Sequence, residues 1–127
     1  MACRVRQRPG GQAQFSVQSA ERSPLRELQA WIADHIDADL SVPALAARAC
    51  MSDRHFARAF KAETGMTPAV YVESLRVERA RLALESGAAP IDAVAARCGF
   101  GTVETLRRAF ARRLGVSPAA YRNRFAA

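Results

Sequence analysis

From residue 23 onward, apolar residues recur every three or four positions, which is the period of amphipathic helices. The first such stretch begins at Ser23, which can cap a helix, and Pro24, which suits a first helical position. It predicts a helix over about 24–36, with Trp31 in the core. Its apolar stripe comprises Leu25, Leu28, Trp31, Ile32 and Ile36.

Two short helices that meet at a tight corner are predicted over about 40–65. Ser41 can cap the first helix, and Ser52 or Asp53 can start the second. Gly65 supplies the left-handed residue at which the second helix is expected to end.

A longer helix is predicted over about 68–86. Thr67 and Pro68 form its start, and Gly87 ends it. We expect this helix to act as a linker between the segments on either side of it. Its apolar stripe is expected at Tyr71, Leu75 and Leu82.

The corner pattern repeats over about 90–115, and a last helix is predicted from Pro118 through Phe125. Within residues 58–71, seven of fourteen positions are identical fifty residues later. The identical pairs are Arg58/Arg108, Ala59/Ala109, Phe60/Phe110, Gly65/Gly115, Pro68/Pro118, Ala69/Ala119 and Tyr71/Tyr121. Because caps, stops and core positions agree together, this pattern indicates an internal duplication. The predicted fold class is all-α, with seven helices.

Each copy carries the residues that a helix-turn-helix needs, namely a small residue where its helices cross and apolar anchors around it. In the first copy these are Leu45, Ala46, Ala49, Met51, Phe56 and Phe60. In the second copy they are Val94, Ala95, Cys98, Phe100, Leu106 and Phe110, with Gly99 at the turn. The second corner is one residue longer than the first. The sequence therefore predicts two helix-turn-helix units joined by a linker helix.

The two copies differ at two local positions. Cys50 stands where the second copy has Gly99, and a left-handed backbone strains any residue with a side chain, so we expect the first corner to turn differently. Pro90 stands where the first copy has Ser41, which leaves the second copy without a side-chain cap. Asp92 still places a negative charge in the first turn of that helix.

The second helix of each copy is predicted to have a polar outward face opposite its apolar anchors. In the first copy this face comprises Arg54, Arg58 and Lys61, with His55, Ala57 and Ala62 at its edges. In the second copy it comprises Glu104, Arg108, Ala111 and Arg112, flanked by Thr105 and Arg107. Such faces suit a DNA major groove, where arginine binds guanine and glutamate can accept a hydrogen bond from cytosine.

The charge balance also favours nucleic acid as the partner. The 127 residues include 19 basic and 12 acidic side chains, a net charge of +7, and Lys61 is the only lysine. Arginine is the side chain best suited to phosphate and guanine recognition.

Other chemistry finds little support in the sequence. The positions of the histidines and cysteines do not fit a metal site, and Cys50 and Cys98 are expected to be small core residues. Catalytic triads, paired carboxylates and glycine-rich phosphate loops are missing from the pattern, so we expect neither enzymatic activity nor a cofactor. Apolar runs are too short to cross a membrane, and a cytoplasmic location is expected.

From about residue 23 to 125 the sequence resembles the DNA-binding region of AraC-type transcriptional regulators, in which a long helix joins two helix-turn-helix units. The resemblance rests on "MSDRHFARAFKAETGMTPAVYVESLRVERARLAL" and "ARCGFGTVETLRRAFARRLGVSPAAYRNRF". It implies base contacts from the second helix of each unit. The candidates are Arg54, Ala57, Arg58 and Lys61 in the first unit and Val103, Glu104, Arg107, Arg108 and Arg112 in the second, to which the outward face adds Thr105.

Residues 1–22 contain a Pro-Gly-Gly break and no sustained helical period, so they are interpreted as a linker or the remnant of an upstream domain. The segment "RQRPGGQAQF" is similar to the end of the PfpI-like sensor domain in one AraC-type subgroup. A free-standing regulator of the same family and an unstructured tail are the alternatives. Because dimers of this family form through the companion domain, the resemblance implies a monomer for this chain.

The function predicted from the sequence is sequence-specific binding of double-stranded DNA, with the two second helices in successive major-groove segments. RNA polymerase is an expected further partner of the regulator. The alternative is a protein-interaction module, in which degraded helix-turn-helix units contact RNA polymerase without reading DNA.

Overall fold

The computed structural model describes residues 24–87 and 89–126, and these form seven α-helices and no strand. The helices are α1 (Pro24–Asp34), α2 (Val42–Arg48), α3 (Asp53–Thr64), α4 (Pro68–Ser86), α5 (Ile91–Arg97), α6 (Val103–Leu114) and α7 (Pro118–Ala126). The all-α fold class predicted from the sequence is confirmed. The interpretation of residues 1–22 lies outside the described part of the chain.

The chain divides into two compact units. Among the described residues, unit 1 comprises 24–34 and 39–69, and unit 2 comprises 35–38, 70–87 and 89–126. Helix α4 is continuous across the boundary between them. None of the helices described is both long and apolar enough to span a membrane.

Unit 1 buries the apolar stripe of α1 and the anchors of the first helix-turn-helix. Its buried side chains are Leu25, Leu28, Ile32, Leu40, Leu45, Ala46, Ala49, Phe56 and Phe60. The rings of Phe56 and Phe60 lie 5.3 Å apart at a tilted angle, so both anchors of α3 face inward as predicted. Met51 is only partly buried.

Helix α1 ends at Asp34, two residues earlier than predicted. Ile36 is buried, but it lies in the 35–38 segment and belongs to unit 2. Trp31 is partly buried rather than enclosed in a core. One face of its ring is covered by Arg48, whose guanidinium carbon lies 3.6 Å from the ring centroid.

Unit 2 has its own apolar core. Its buried members are Val77, Ala80, Leu84, Val94, Ala95, Cys98, Leu106, Ala109, Phe110 and Tyr121. Phe110 and Tyr121 pack edge to face with ring centroids 5.6 Å apart. The duplicated positions of the second copy thus provide core contacts, as predicted, and Phe100 packs against this core while partly buried.

The predicted apolar stripe of α4 is wrong. Leu82 is 48% exposed, and Tyr71 and Leu75 are only partly buried. The side chains that this helix buries instead include Val72, Val77, Ala80 and Leu84. Because α4 carries apolar residues almost all round, its periodicity alone did not single out the face that becomes buried.

The predicted serine caps of α2 and α3 are confirmed, whereas Ser23, the predicted cap of α1, lies outside the described residues. The hydroxyl oxygens of Ser41 and Ser52 accept hydrogen bonds from the amides of Ala44 and His55, at 3.4 and 3.1 Å. Pro90 precedes α5 without a side-chain cap. The helices α3 and α6 end at left-handed residues, Gly65 (φ 82°) and Gly115 (φ 73°).

The two corners share a left-handed residue at the same place, and the expectation about Cys50 is therefore wrong. Cys50 has φ 61° and its counterpart Gly99 has φ 91°. The backbone turn of the first corner is thus formed despite the strain of a Cβ. Cys50 is also exposed, whereas Cys98 is buried, so the predicted core role holds only for Cys98.

Gly99 lies where only a hydrogen fits. A Cβ at this position would meet the carbonyl oxygen of Ile36 at 2.3 Å and Arg76 Nε at 2.5 Å. Arg76 itself donates to the carbonyls of Ile36 and Ala38, at 2.9 Å each, which ties the 35–38 segment into unit 2. Glycine therefore relieves the backbone strain of the second corner and also avoids a clash that no Cβ could escape without movement of its neighbours.

Candidate nucleic-acid interface

Helix α3 of unit 1 places its basic side chains in solvent. Phe56 and Phe60 are fully buried, and the helical period then turns Arg54, Arg58 and Lys61 outward, where all three are exposed. None of these three cations forms an ion pair or hydrogen bond with another residue that the structure describes. Ala57, also a predicted contact residue, is partly buried at the edge of this face.

A shallow depression lies at the N-terminal half of α3. It is lined by Ser52, Arg54, His55, Arg58 and Ala59. His55 is exposed there, although the sequence analysis placed it only at the edge of the outward face and not among the contact residues. Its position in the first turn, between two outward arginines, was the signal that could have included it.

Helix α6 of unit 2 presents the corresponding face. Thr102 caps it by accepting a hydrogen bond from the amide of Thr105 at 3.2 Å. Leu106 and Phe110 point into the core, and the predicted contact residues on the other side are exposed. These are Glu104, Thr105, Arg107, Arg108 and Arg112.

Val103 differs from the other predicted contact residues of α6. It is partly buried and packs against the core of unit 2. Its side chain therefore stabilises the start of the helix as well as bordering the outward face.

Glu104 is engaged with the arginines that come after it on α6. Arg107 Nη1 lies 3.1 Å from Glu104 Oε1, and Arg108 Nε lies 3.7 Å from Glu104 Oε2. These are the three- and four-residue spacings at which helical side chains meet. All three side chains remain more than half exposed, so the pairs are screened by solvent and can be exchanged for other partners.

Arg112 is also paired, through a contact that the sequence analysis missed. Its Nη2 donates to Glu73 Oε2 of α4 at 2.5 Å, and Arg113 Nε donates to Glu73 Oε1 at 3.1 Å. The hydrogen bond from Arg112 is the main cause that lowers the pKa of Glu73 below its usual value of 4.5. Residues about forty positions apart meet here, so helical spacing gave no signal for the contact.

The two faces can bind a polyanion and discriminate among base edges. Arginine donates two parallel hydrogen bonds to phosphate or to guanine, and the carboxylate of Glu104 can only accept. Among the residues that the structure describes, no group of three or more His, Cys, Asp or Glu side chains is placed to hold a metal ion.

Comparison with known proteins agrees with this geometry. Residues 45–124 match the model of a helix-turn-helix domain family. The chain is 56% identical over 82 residues to the HTH-type transcriptional regulator Rv1931c of Mycobacterium tuberculosis, and the aligned segment covers 65% of this chain and 32% of that protein. It is 35% identical over 98 residues to the right origin-binding protein of Escherichia coli K12, covering 77% and 34% respectively. The chain thus spans about a third of the length of these curated relatives.

Solved structures show the same architecture. The DNA-binding domain of the transcriptional factor AdpA, in complex with a target DNA, superposes with a TM-score of 0.77 at 44% identity, covering 80% of this chain and 92% of that one. The C-terminal domain of the response regulator AraT from Geobacillus stearothermophilus superposes with a TM-score of 0.77 at 29% identity, covering 80% and 85%.

The fold and the two exposed basic faces, together with these similarities, define a class: a DNA-binding module of a transcription regulator. Within that class, the chain belongs to the AraC-type family of helix-turn-helix domains. The resemblance to this family stated from the sequence is thereby confirmed.

Proposed function

We propose that this domain reads a specific DNA duplex by seating the outward faces of α3 and α6 in two successive major-groove segments. The observation that carries the proposal is the duplicated arrangement of apolar anchors inside and arginines outside on the second helix of each helix-turn-helix. In this class of fold that helix lies in the major groove. The residues proposed to contact DNA are Arg54, Ala57, Arg58, Lys61, Val103, Glu104, Thr105, Arg107, Arg108 and Arg112.

The length of α4 supports the use of two groove segments. Its 19 residues span about 28 Å at ~1.5 Å per residue. Successive major-groove segments on one side of B-DNA are about 34 Å apart. A connection of this length limits the separations of half-sites that α3 and α6, the two proposed reading helices, can reach. Because α4 is shorter than the spacing of the groove segments, the proposal implies a tilted linker or bent DNA.

The domain organisation that we propose follows the same division. Residues 23–127 form the DNA-binding domain, with helix-turn-helix units over about 40–65 and 90–115, and residues 1–22 lead into it. In the whole regulator the domain acts in the cytoplasm as a binding protein without catalysis of its own. RNA polymerase is a proposed partner of that regulator, and this domain by itself is proposed to be monomeric.

Selection of bound duplexes from a random pool, followed by footprinting, tests the proposal. We expect a recovered site with two protected segments about one helical turn apart. Moving one segment by five base pairs places it on the opposite face of the duplex, so tight binding should be lost. The control replaces five base pairs between the segments without changing their spacing.

Unchanged affinity after the five-base-pair shift would show that the units bind independently. A recovered pool without a common sequence would contradict specific reading. A DNA affinity that does not change with salt concentration would favour the protein-interaction alternative. Specific contacts with phosphates release counterions, so they make DNA affinity fall steeply as the salt concentration rises.

A further inference from the structure

Glu73 of helix α4 is placed between two neighbouring arginines of the second reading helix. Its Oε2 accepts from Arg112 Nη2 at 2.5 Å, and its Oε1 accepts from Arg113 Nε at 3.1 Å. Arg113 Nη2 donates in addition to the carbonyl oxygen of Val70 at 3.4 Å. All four residues belong to unit 2, so the contact joins α4 and α6 within one compact unit.

The bridge leaves one side of Arg112 open. Its side chain is 60% exposed, whereas that of Glu73 is only 23% exposed. The carboxylate occupies Nε and Nη2 of Arg112, so the remaining N–H groups of the guanidinium point away from Glu73. The bridge to Glu73 thereby holds the Arg112 side chain, which would otherwise move freely in solvent, to one region of the surface.

The position of Arg112 determines which part of DNA it can reach. It lies in the last turn of α6, whereas the N-terminal residues of a recognition helix are those that contact base edges. A phosphate of the backbone is the ligand suited to an exposed guanidinium at this end of the helix.

We propose that Glu73 is a positioning residue for DNA binding, because it orients Arg112 so that its open N–H groups meet a backbone phosphate. The inference rests on the proposed function, since it requires that α6 lies in the groove. The inference predicts an unusual direction for the change in DNA affinity when Glu73 is replaced. Removal of a carboxylate near DNA normally strengthens binding, because the carboxylate repels phosphates, yet removal of Glu73 should weaken it.

The test compares charge-neutral, nearly isosteric variants in competition titrations at fixed salt. The probe is a duplex selected by this chain from a random pool. Glu73→Gln should weaken binding about two- to fivefold, which is the range for an exposed ion pair. Glu78→Gln is the matched control, because Glu78 lies on the same helix and pairs with Arg81 of that helix. Loss of its charge should leave affinity unchanged or raise it.

A double-mutant cycle shows whether Glu73 acts through Arg112. Arg112→Gln should weaken binding, and Glu73→Gln should have no further effect in that background. Glu73→Asp, which keeps the charge on a shorter side chain, should retain part of the affinity that Glu73→Gln loses. A merely structural role for Glu73 would not give this dependence on Arg112, and the circular dichroism of each variant checks that the fold is kept.

Three outcomes would overturn the inference. An increase of affinity in Glu73→Gln, matching Glu78→Gln, would show that Glu73 only neutralises nearby charge. An unchanged affinity of Arg112→Gln, alongside a clear loss in Arg58→Ala, would reject the inference while leaving the proposed function intact. Failure of the wild-type chain to select any duplex would reject the proposed function as well.

Discussion

The helices α3 and α6 have the same place in the duplicated fold, but their basic side chains differ in ion pairing. In unit 1, Arg54, Arg58 and Lys61 are exposed and have no ion-pair partner among the described residues. In unit 2, Glu104 engages Arg107 and Arg108, and Glu73 engages the two arginines at the end of the helix. The number of basic residues on a helix therefore does not by itself give the charge that the helix presents to solvent.

The difference follows from substitutions at equivalent exposed positions. Glu104 replaces Arg54, and Arg113 replaces Glu63, which accepts a hydrogen bond from Gln29 of α1 at 3.3 Å. The anchors and the left-handed stops are kept in both copies, because a change there would alter the fold. The exposed pairs 54/104 and 63/113 differ between the copies, and these differences change the charges on the two helices.

The largest effect should come from the left-handed residue at the corner of the second helix-turn-helix, which corresponds to Cys50 in the first. Gly99→Ala should destabilise the protein by about 3 kcal/mol, since the new Cβ adds left-handed strain to a clash with the carbonyl of Ile36. Urea denaturation followed by circular dichroism measures this loss. Gly101→Ala is the control, because Gly101 has φ 82° but open space around it, so only the conformational cost of about 1 kcal/mol should remain. Equal losses at both glycines would show that the close approach at Gly99 relaxes freely.

The difference in ion pairing between α3 and α6 should appear as energetic coupling between Glu104 and the arginines of α6, but not those of α3. Arg58→Ala should weaken cognate binding by about 2 kcal/mol and relax one position of the site if the contact is to guanine. This loss should be the same with or without Glu104, because the carboxylate of Glu104 pairs with arginines of its own helix. The loss in Arg108→Ala should instead change when Glu104 is also replaced by Ala. Additive losses for both arginines would show that the ion pair with Glu104 has no part in binding.

The left-handed stops should respond alike in the two units. Gly65→Val and Gly115→Val should each destabilise by about 1–2 kcal/mol, because a β-branched residue resists a positive φ. A Cβ at either glycine would meet no atom within 4 Å, so the loss is expected to come from conformational strain. Unfolding midpoints of the two variants measure it. A loss at one site alone would reveal that the second helix of the other unit can end in another way.

Glu104 tests whether the second reading helix trades affinity for specificity. Glu104→Ala frees Arg107 and Arg108 and removes a charge that repels phosphates, so affinity for random duplex should hold or rise. If Glu104 accepts a hydrogen bond from cytosine, discrimination at that base pair should fall by about 1 kcal/mol. Competition of cognate against random duplex measures the ratio. An unchanged ratio would leave Glu104 with no role beyond pairing with its neighbouring arginines.

The smallest effect concerns pH. The bridge at Glu73 lowers the pKa of its carboxyl group from the usual 4.5, and so the stability that it contributes is fully present above that value. It is lost as pH falls through the lower pKa of the folded state. Thermal midpoints of the wild type and Glu73→Gln should therefore differ slightly at pH 7 and converge in acid. A difference that stays constant with pH would assign it to packing.

Much of the fold could be predicted because its causes are local. Serine caps, glycine stops and the three- and four-residue spacing of Phe56 and Phe60 act within one or two helical turns. The outward position of Arg54, Arg58 and Arg108 follows from the same spacing once the anchors are known. Local rules failed where two preferences competed, as at Cys50, whose side chain disfavours a left-handed backbone that the corner nonetheless imposes.

The sequence by itself thus determined the helices, the duplication, and which side of each reading helix faces solvent, since these depend on neighbours within a few residues. Tertiary structure decided which face of α4 is buried, why Ile36 packs with unit 2, and which arginines are held by Glu73. Those outcomes depend on contacts between residues about forty positions apart, and helical periodicity carries no information about a partner at that distance.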